Sequence, residues 1–204
     1  MPGKYPKKSI QRRFIKKYEK QRRKALFGKH HLLFYDPTHQ IHNTVIGKCW
    51  QKKGERNTIR LESNTGRDRV SILGAINVTS KKFTSILTED NCDKEMNQEV
   101  MKEIRKDYPD NKKIILILDN ASYNKAQSVK DIAKTLNIQL WYLPPYSPNL
   151  NLIERIWKFL KKVLKNKYIS TLSEYKKFLF DFCAYFDKYQ NEINRIISQK
   201  FEIL

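Results

Sequence analysis

Apolar positions change their spacing twice along the chain. Leu32-Leu33-Phe34-Tyr35 is a short apolar run of the kind that forms a buried strand. It ends on Asp36, and Pro37, which has no N–H for a ladder, is expected to end the strand there. Residues 70–78 and 83–87 are two more strand-like runs with a turn over 77–82, so this half reads as an antiparallel meander. Trp50 and a Lys52-Lys53-Gly54 turn stand between the first run and the second.

From Asp93 the period lengthens. Met96, Val100, Ile104 and Tyr108 recur every four residues and predict a helix over 93–108, closed by Pro109. Residues 113–118 are a solid run dominated by Ile and Leu, as in a strand covered on both faces, and they stop at Asp119. Val129, Ile132, Ala133 and Leu136 predict a helix within 121–136, and 138–143 reads as a strand. Pro144-Pro145-Tyr146-Ser147-Pro148 is a rigid loop. Ile153, Ile156, Trp157, Leu160 and Leu164 predict a helix over 151–164, and a last amphipathic region runs from Ser173 towards Ile197. A meander followed by β-α-β-α units gives an α/β fold, a mixed five-stranded sheet flanked by helices.

Charge adds a partner class. Lys and Arg number 41 against 21 Asp and Glu, a net charge of +20. Such a field attracts polyanions, and nucleic acid is the first candidate because neutralised phosphates release counterions. Residues 1–30, set apart from a main domain over 31–204, hold twelve Lys or Arg and one Glu, or +11 of that total. They read either as a basic arm or helix, lying on DNA through residues such as Arg12 and Arg13 or packed on the main domain, or as an unstructured tail. No apolar run is long enough to span a bilayer and none follows the basic start, so a cytoplasmic, nucleoid-associated protein without a membrane partner is expected. Cys49, Cys92 and Cys183 are too scattered for a zinc site or a disulfide framework.

Three acids carry the candidate chemistry. Asp36 and Asp119 each end an apolar run, and groups just past the carboxyl ends of strands line the functional crevice of an α/β sheet. If the two strands are adjacent and parallel, the two carboxylates converge. Glu154 opens the helix after the Pro-rich loop, which could return it to the same edge. Each acid has an ordinary reading too: Asp119 as a helix cap, Asp36 as a turn residue before Pro37, Glu154 as a surface ion pair with Lys158. Taken together, three carboxylates repel one another unless a cation sits among them. Oxygen ligands with room for water suit two Mg²⁺ or Mn²⁺ ions, which can stabilise both the attacking and the leaving oxygen of a phosphoryl transfer.

The sequence around these acids resembles a known family. Leu118-Asp119-Asn120-Ala121-Ser122, then the stretch from Leu143-Pro144-Pro145-Tyr146-Ser147-Pro148-Asn149 through Ile153-Glu154-Arg155-Ile156-Trp157, resembles the signature of mariner-like transposases, above all their bacterial insertion-sequence branch. The 34 residues between Asp119 and Glu154 match that family's spacing. Phe34-Tyr35-Asp36-Pro37-Thr38-His39, Trp50 with Lys52-Lys53-Gly54, and Leu73-Gly74-Ala75-Ile76 also fit, so the resemblance covers about residues 32–162. It implies a ribonuclease-H-like fold and metal-dependent cleavage of double-stranded DNA at element ends, followed by joining of the freed 3′-hydroxyl to target DNA. It also implies Asp36, Asp119 and Glu154 as the catalytic and metal-binding triad. Pro37, Asn124 and Leu152 depart from the family's usual Glu, His and Pro. The family's helix-turn-helix modules have no counterpart in the thirty residues before the first strand, as in the second half of a split or frameshifted gene, or a truncated copy. Two other readings stand beside a transposase: a non-catalytic DNA-binding remnant, and another ribonuclease-H-like nuclease.

Beside Glu154, Lys158, Lys161, Lys162 and Lys165 form a basic stripe that would meet phosphates, or else a solvated face. His39 and His42 read as packing or DNA-contact residues before metal ligands, and Trp141 and Trp157 as core. The Phe178, Phe182, Tyr185, Phe186 and Tyr189 stripe reads first as core and second as a homodimer face.

Overall fold

The structure is a computed structural model that describes residues 7–47 and 62–203, so Cys49, Trp50 and the Lys52-Lys53-Gly54 turn fall outside the described residues. Five strands, β1 (His31–Ile41), β2 (Arg69–Asn77), β3 (Phe83–Thr88), β4 (Ile114–Leu118) and β5 (Ile138–Tyr142), form one sheet in the order β3-β2-β1-β4-β5. The β1–β2 and β2–β3 pairs are antiparallel, as the meander predicts. The β1–β4 and β4–β5 pairs are parallel.

Side-chain alternation sorts the sheet into two cores. Leu32 and Phe34 of β1 and Ile115 and Ile117 of β4 face the larger one. It is closed by α1 (Lys8–Leu26), α4 (Ile153–Leu164), α5 (Leu172–Ala184) and α6 (Gln190–Ser198), whose apolar residues pack in the same cluster. Leu33 and Tyr35, with Ile114, Leu116 and Leu118, face the smaller core under α2 (Lys94–Asp107) and α3 (Gln127–Thr135). Asp93 caps α2 by accepting from the Met96 N–H, and Thr171 and Glu174 close a reciprocal cap on α5.

Two boundaries differ from the sequence reading. Pro37 does not end β1, which continues to Ile41 opposite β2. The His31 N–H bonds to Lys113 beside β4, whereas the Leu32 carbonyl accepts from Val78 on the β2 side. Backbone polarity alternates, so residue 37 turns its missing N–H towards β4. The β4 pairing has already stopped at Phe34 with Ile117, so no ladder bond is lost and proline is tolerated. The helix expected within 121–136 starts only at Gln127. Ala126 is extended (φ −56°, ψ 144°), and before it Tyr123–Lys125 makes a short 3₁₀ turn that points Asn124 inward.

The basic N-terminal segment forms a helix that buries Phe14, Tyr18 and Ala25 in the larger core. Phe14 lies 4.9 Å from Trp141, and Lys17 stands 4.6 Å over the same indole. Trp157, Phe182 and Phe186 are buried and Phe178 and Tyr189 partly so, which is the core reading of those aromatics; Tyr185 remains exposed. No helix among the described residues is long and apolar enough to cross a membrane.

Candidate active site

Strand adjacency brings the first two acids together. The parallel register pairs Phe34 with Ile117, and two further steps set Asp36 beside Asp119. Both continue the alternation that faces the larger core, so both carboxylates lie on the face covered by α4. The Pro-rich loop then delivers Glu154. Asn120 Nδ2 donates to the Leu143 carbonyl at 2.6 Å, and the Leu143 N–H donates to the Leu118 carbonyl at 2.9 Å, which fastens the loop to the end of β4. Tyr146 takes a left-handed φ of 56°, and Ser147 starts the turn into Pro148–Leu150. Glu154 follows in the first turn of α4.

Asp36, Asp119 and Glu154 line one open cavity of about 530 Å³ together with Asn120, Lys125, Pro144–Pro148 and Asn151. None of the three carboxylates is in an ion pair with a described residue. Burial, then the negative charges of Glu154 and Asp119, push the Asp36 carboxyl up to about 8. The Trp157 indole stands near enough to favour the ionised form slightly, yet its N–H is buried without a hydrogen bond of normal geometry. Asp119 is held from below: its Oδ1 accepts from Asn124 Nδ2 at 2.6 Å and from the Ala121 N–H at 3.1 Å. Among the described residues no group of three His, Cys, Asp or Glu side chains is placed to hold a single metal ion. The donor set nevertheless fits divalent cations shared between pairs of carboxylates, because Mg²⁺ keeps most of its waters and takes only one or two carboxylates.

The basic stripe divides. Lys158 and Lys162 line a groove between α4 and α6 with Glu154, Arg155, Arg195 and Lys200, whereas Lys161 and Lys165 are exposed outside it. That groove and the acidic cavity share Pro148, Asn151 and Glu154, so they run into each other. Arg12 and Arg13 are exposed on α1. His39 bonds Ser71 at 2.9 Å and His42 bonds the Ile169 carbonyl at 2.8 Å; neither lines the acidic cavity.

Several residues of this neighbourhood escaped the sequence reading. Asn124 was seen only as a departure from a family pattern, and its buried side chain proves to be the partner of Asp119. Asn151 is buried at the junction of cavity and groove, and nothing in its sequence position marks it. The buried Gln11 of α1 donates to Ser147 Oγ at 3.3 Å, which ties the N-terminal helix to the loop.

Comparisons with known proteins identify the family and agree with the fold. The family model described as DDE superfamily endonuclease matches residues 31–176. An uncharacterized protein of Sinorhizobium fredii, y4pE/y4sA, is 32% identical over 108 residues, covering 52% of this chain and 76% of that protein. The insertion element IS630 uncharacterized 39 kDa protein of Shigella sonnei is 28% identical over 145 residues, covering 64% of this chain and 38% of that protein. The Mos1 mariner paired-end complex with Mn superposes with a TM-score of 0.73 at 18% identity, over 97% of this chain and 60% of that one. The catalytic domain of Mos1 mariner transposase gives 0.65 at 15% identity, over 97% and 90%. At these identities the structures speak for the fold, and it is the ribonuclease-H-like one expected. This chain spans under two thirds of the transposase in that Mos1 complex and well under half of the Shigella protein.

Proposed function

The chain belongs to the DDE superfamily endonucleases, and on that premise we propose that it is the catalytic part of a DNA transposase, cutting element ends and joining them to target DNA. The observation that carries this reading is the convergence of Asp36, Asp119 and Glu154 on one cavity, with none of the three ion-paired to a described residue. Two divalent ions, Mg²⁺ or Mn²⁺, held by these carboxylates would activate the attacking water or 3′-hydroxyl and neutralise charge on the leaving oxygen. The protein's own part is placement. β1 and β4 set two carboxylates side by side, the loop and α4 bring the third, and Asn124 keeps Asp119 turned into the cavity. Lys158, Lys162 and exposed Arg12 and Arg13 supply phosphate contacts, which position a duplex without reading its sequence. Lys161 and Lys165, exposed outside the groove, add to the same positive charge.

Incubation with supercoiled plasmid carrying the element's own ends tests the reading. Nicking and strand joining in Mg²⁺ or Mn²⁺ are expected, with none in chelator. Cleavage that persists in chelator would sink the metal-dependent mechanism.

The raised Asp36 pKa gives a second expectation. In the metal-free protein this carboxyl holds a proton up to about pH 8, and a carboxylate ligand must lose its proton to bind metal. Mn²⁺ affinity is therefore expected to rise from pH 6 to 8 with release of about one proton per protein, read by calorimetry in buffers of different ionisation enthalpy. The sign for stability is opposite. A carboxyl whose folded pKa lies above its unfolded value stabilises the fold at low pH, and that contribution is lost as pH climbs towards 8. A Tm that rises with pH over that range in chelator, once other groups are matched by an Asp36→Asn control, would contradict the assignment.

A further inference from the structure

Arg155 follows Glu154 in the chain but does not line the acidic cavity; it lines the α4–α6 groove instead. Its Nη1 donates to the carbonyls of Ile196 at 2.7 Å and Gln199 at 2.9 Å, and its Nη2 to the carbonyl of Lys200 at 3.1 Å. The guanidinium carbon lies 5.5 Å over the Phe201 ring. These carbonyls sit at and just beyond the C-terminal end of α6, where helix carbonyls lack N–H partners and carry the negative end of the dipole. A planar guanidinium meets three converging acceptors through a rigid fork of donors, whereas the three donors of a lysine ammonium rotate at the end of a flexible stem.

The contact continues past Arg155. Phe201 lies 5.1 Å from the Tyr18 ring and 6.4 Å from Phe34. Phe34 is two residues before Asp36 on the same face of β1. Asn149 Nδ2 donates to the Glu202 carbonyl at 2.7 Å and so fixes this tail to the segment just before α4. A chain of packed groups therefore joins the turn that bears Glu154 to the strand that bears Asp36. The turn is packed by the buried Leu152, Ile153 and Ile156, but the residue at its N-cap, Leu152, offers no side-chain cap, so its polar anchoring beyond the backbone comes from Arg155.

We propose that Arg155 is a positioning residue, whose clasp on the carbonyls of residues 196–200 holds the first turn of α4 against β1 and so sets the spacing of Glu154 from Asp36. The inference rests on the reading that these carboxylates share divalent ions. Arg155 lies outside the lining of the acids' cavity and takes no part in bond-making.

The test is Mn²⁺ binding to the full chain without DNA, by calorimetry and by the loss of the free-ion electron spin resonance signal. Arg155→Lys keeps the charge and loses the fork. It is expected to weaken Mn²⁺ binding about tenfold or more, in the range seen when groups that orient metal ligands are removed. The circular dichroism spectrum should stay that of the wild type. Phe201→Leu, which keeps an apolar side chain and loses the ring contacts, is expected to shift affinity in the same direction by less, and it serves if the lysine variant fails to fold. Wild-type affinity in both variants, even with a lowered Tm, would overturn the proposal and leave Arg155 as a tail anchor. A wild-type protein that binds no Mn²⁺ would overturn the metal reading beneath it, a result distinct from unchanged variants.

Discussion

Asp119→Asn is expected to remove metal-dependent cleavage and joining, by ~10³-fold or more, while the protein stays folded. The size follows from the contribution at stake: metal-borne charge stabilisation is several kcal/mol, and each ~1.4 kcal/mol is tenfold in rate. The specificity follows from the hydrogen bonds. Asp119 Oδ1 accepts from Asn124 and from the Ala121 N–H. An asparagine oxygen can accept both, which turns the new NH₂ group into the cavity, where it repels a cation and offers no lone pair. Stability should move the other way. Asp119 is one of the charges that raise the Asp36 pKa, so removing it eases ionisation of Asp36 in the metal-free fold. A Tm in chelator at pH 8 equal to or above the wild type's is therefore expected, together with lost activity. Retained cleavage would sink the triad mechanism; lost cleavage with a collapsed circular dichroism spectrum would mean that the Asp119 carboxylate supports the fold itself and not only the metal ions.

How much of this was legible in the sequence depended on the range of the signal. An apolar run that stops on an acid is a local pattern, and it placed Asp36 and Asp119 at strand ends. The convergence of the two needed only adjacent parallel strands, which the β-α-β order favours. Pro37 misled because proline's cost in a strand depends on which neighbour its nitrogen faces, and that is set by where β4 stops, 81 residues further on. Arg155 was silent for the same reason. In sequence it is one more base on a basic helix, while its acceptors lie 41 to 45 residues away. The basic stripe on α4 was legible as charge but not as direction, since α6 and the tail decide which lysines border a groove. α1 was half legible: Phe14 and Tyr18 stand one helical turn apart among twelve basic residues over 1–30, a spacing that allowed a packed helix but did not separate it from an unstructured tail, and both rings lie in the core.

Gly74→Ala is expected to lower stability and cleavage together, and the cause lies on the strand beside Asp36. Gly74 sits opposite Asp36 in the β1–β2 register. A Cβ there would stand 2.6 Å from Trp157 Cη2 and 3.0 Å from Phe83 Cζ. The first distance requires something to move. Trp157 is buried, the partly buried Phe83 packs edge-on against it, and Phe83 in turn stacks on Phe186 at 4.4 Å, so Trp157 cannot move without displacing its neighbours. Overpacking of this kind costs about 1–3 kcal/mol. The smaller entropy of alanine in the unfolded chain offsets about 0.4–1 kcal/mol, so destabilisation wins, as a fall in Tm of several degrees. The effect on catalysis is expected to be larger than that on stability. Trp157 is one helical turn after Glu154, so a ring pushed off the sheet takes the start of α4 with it and widens the gap between Glu154 and Asp36. A displacement near 1 Å at a reacting centre costs roughly 10²-fold. Trimming the obstacle should return part of the loss: Gly74→Ala combined with Phe83→Leu is expected to cleave faster than Gly74→Ala alone. An alanine variant with wild-type Tm and cleavage would show that α4 yields without cost, and that the close approach of Trp157 to the sheet does not set the position of Glu154.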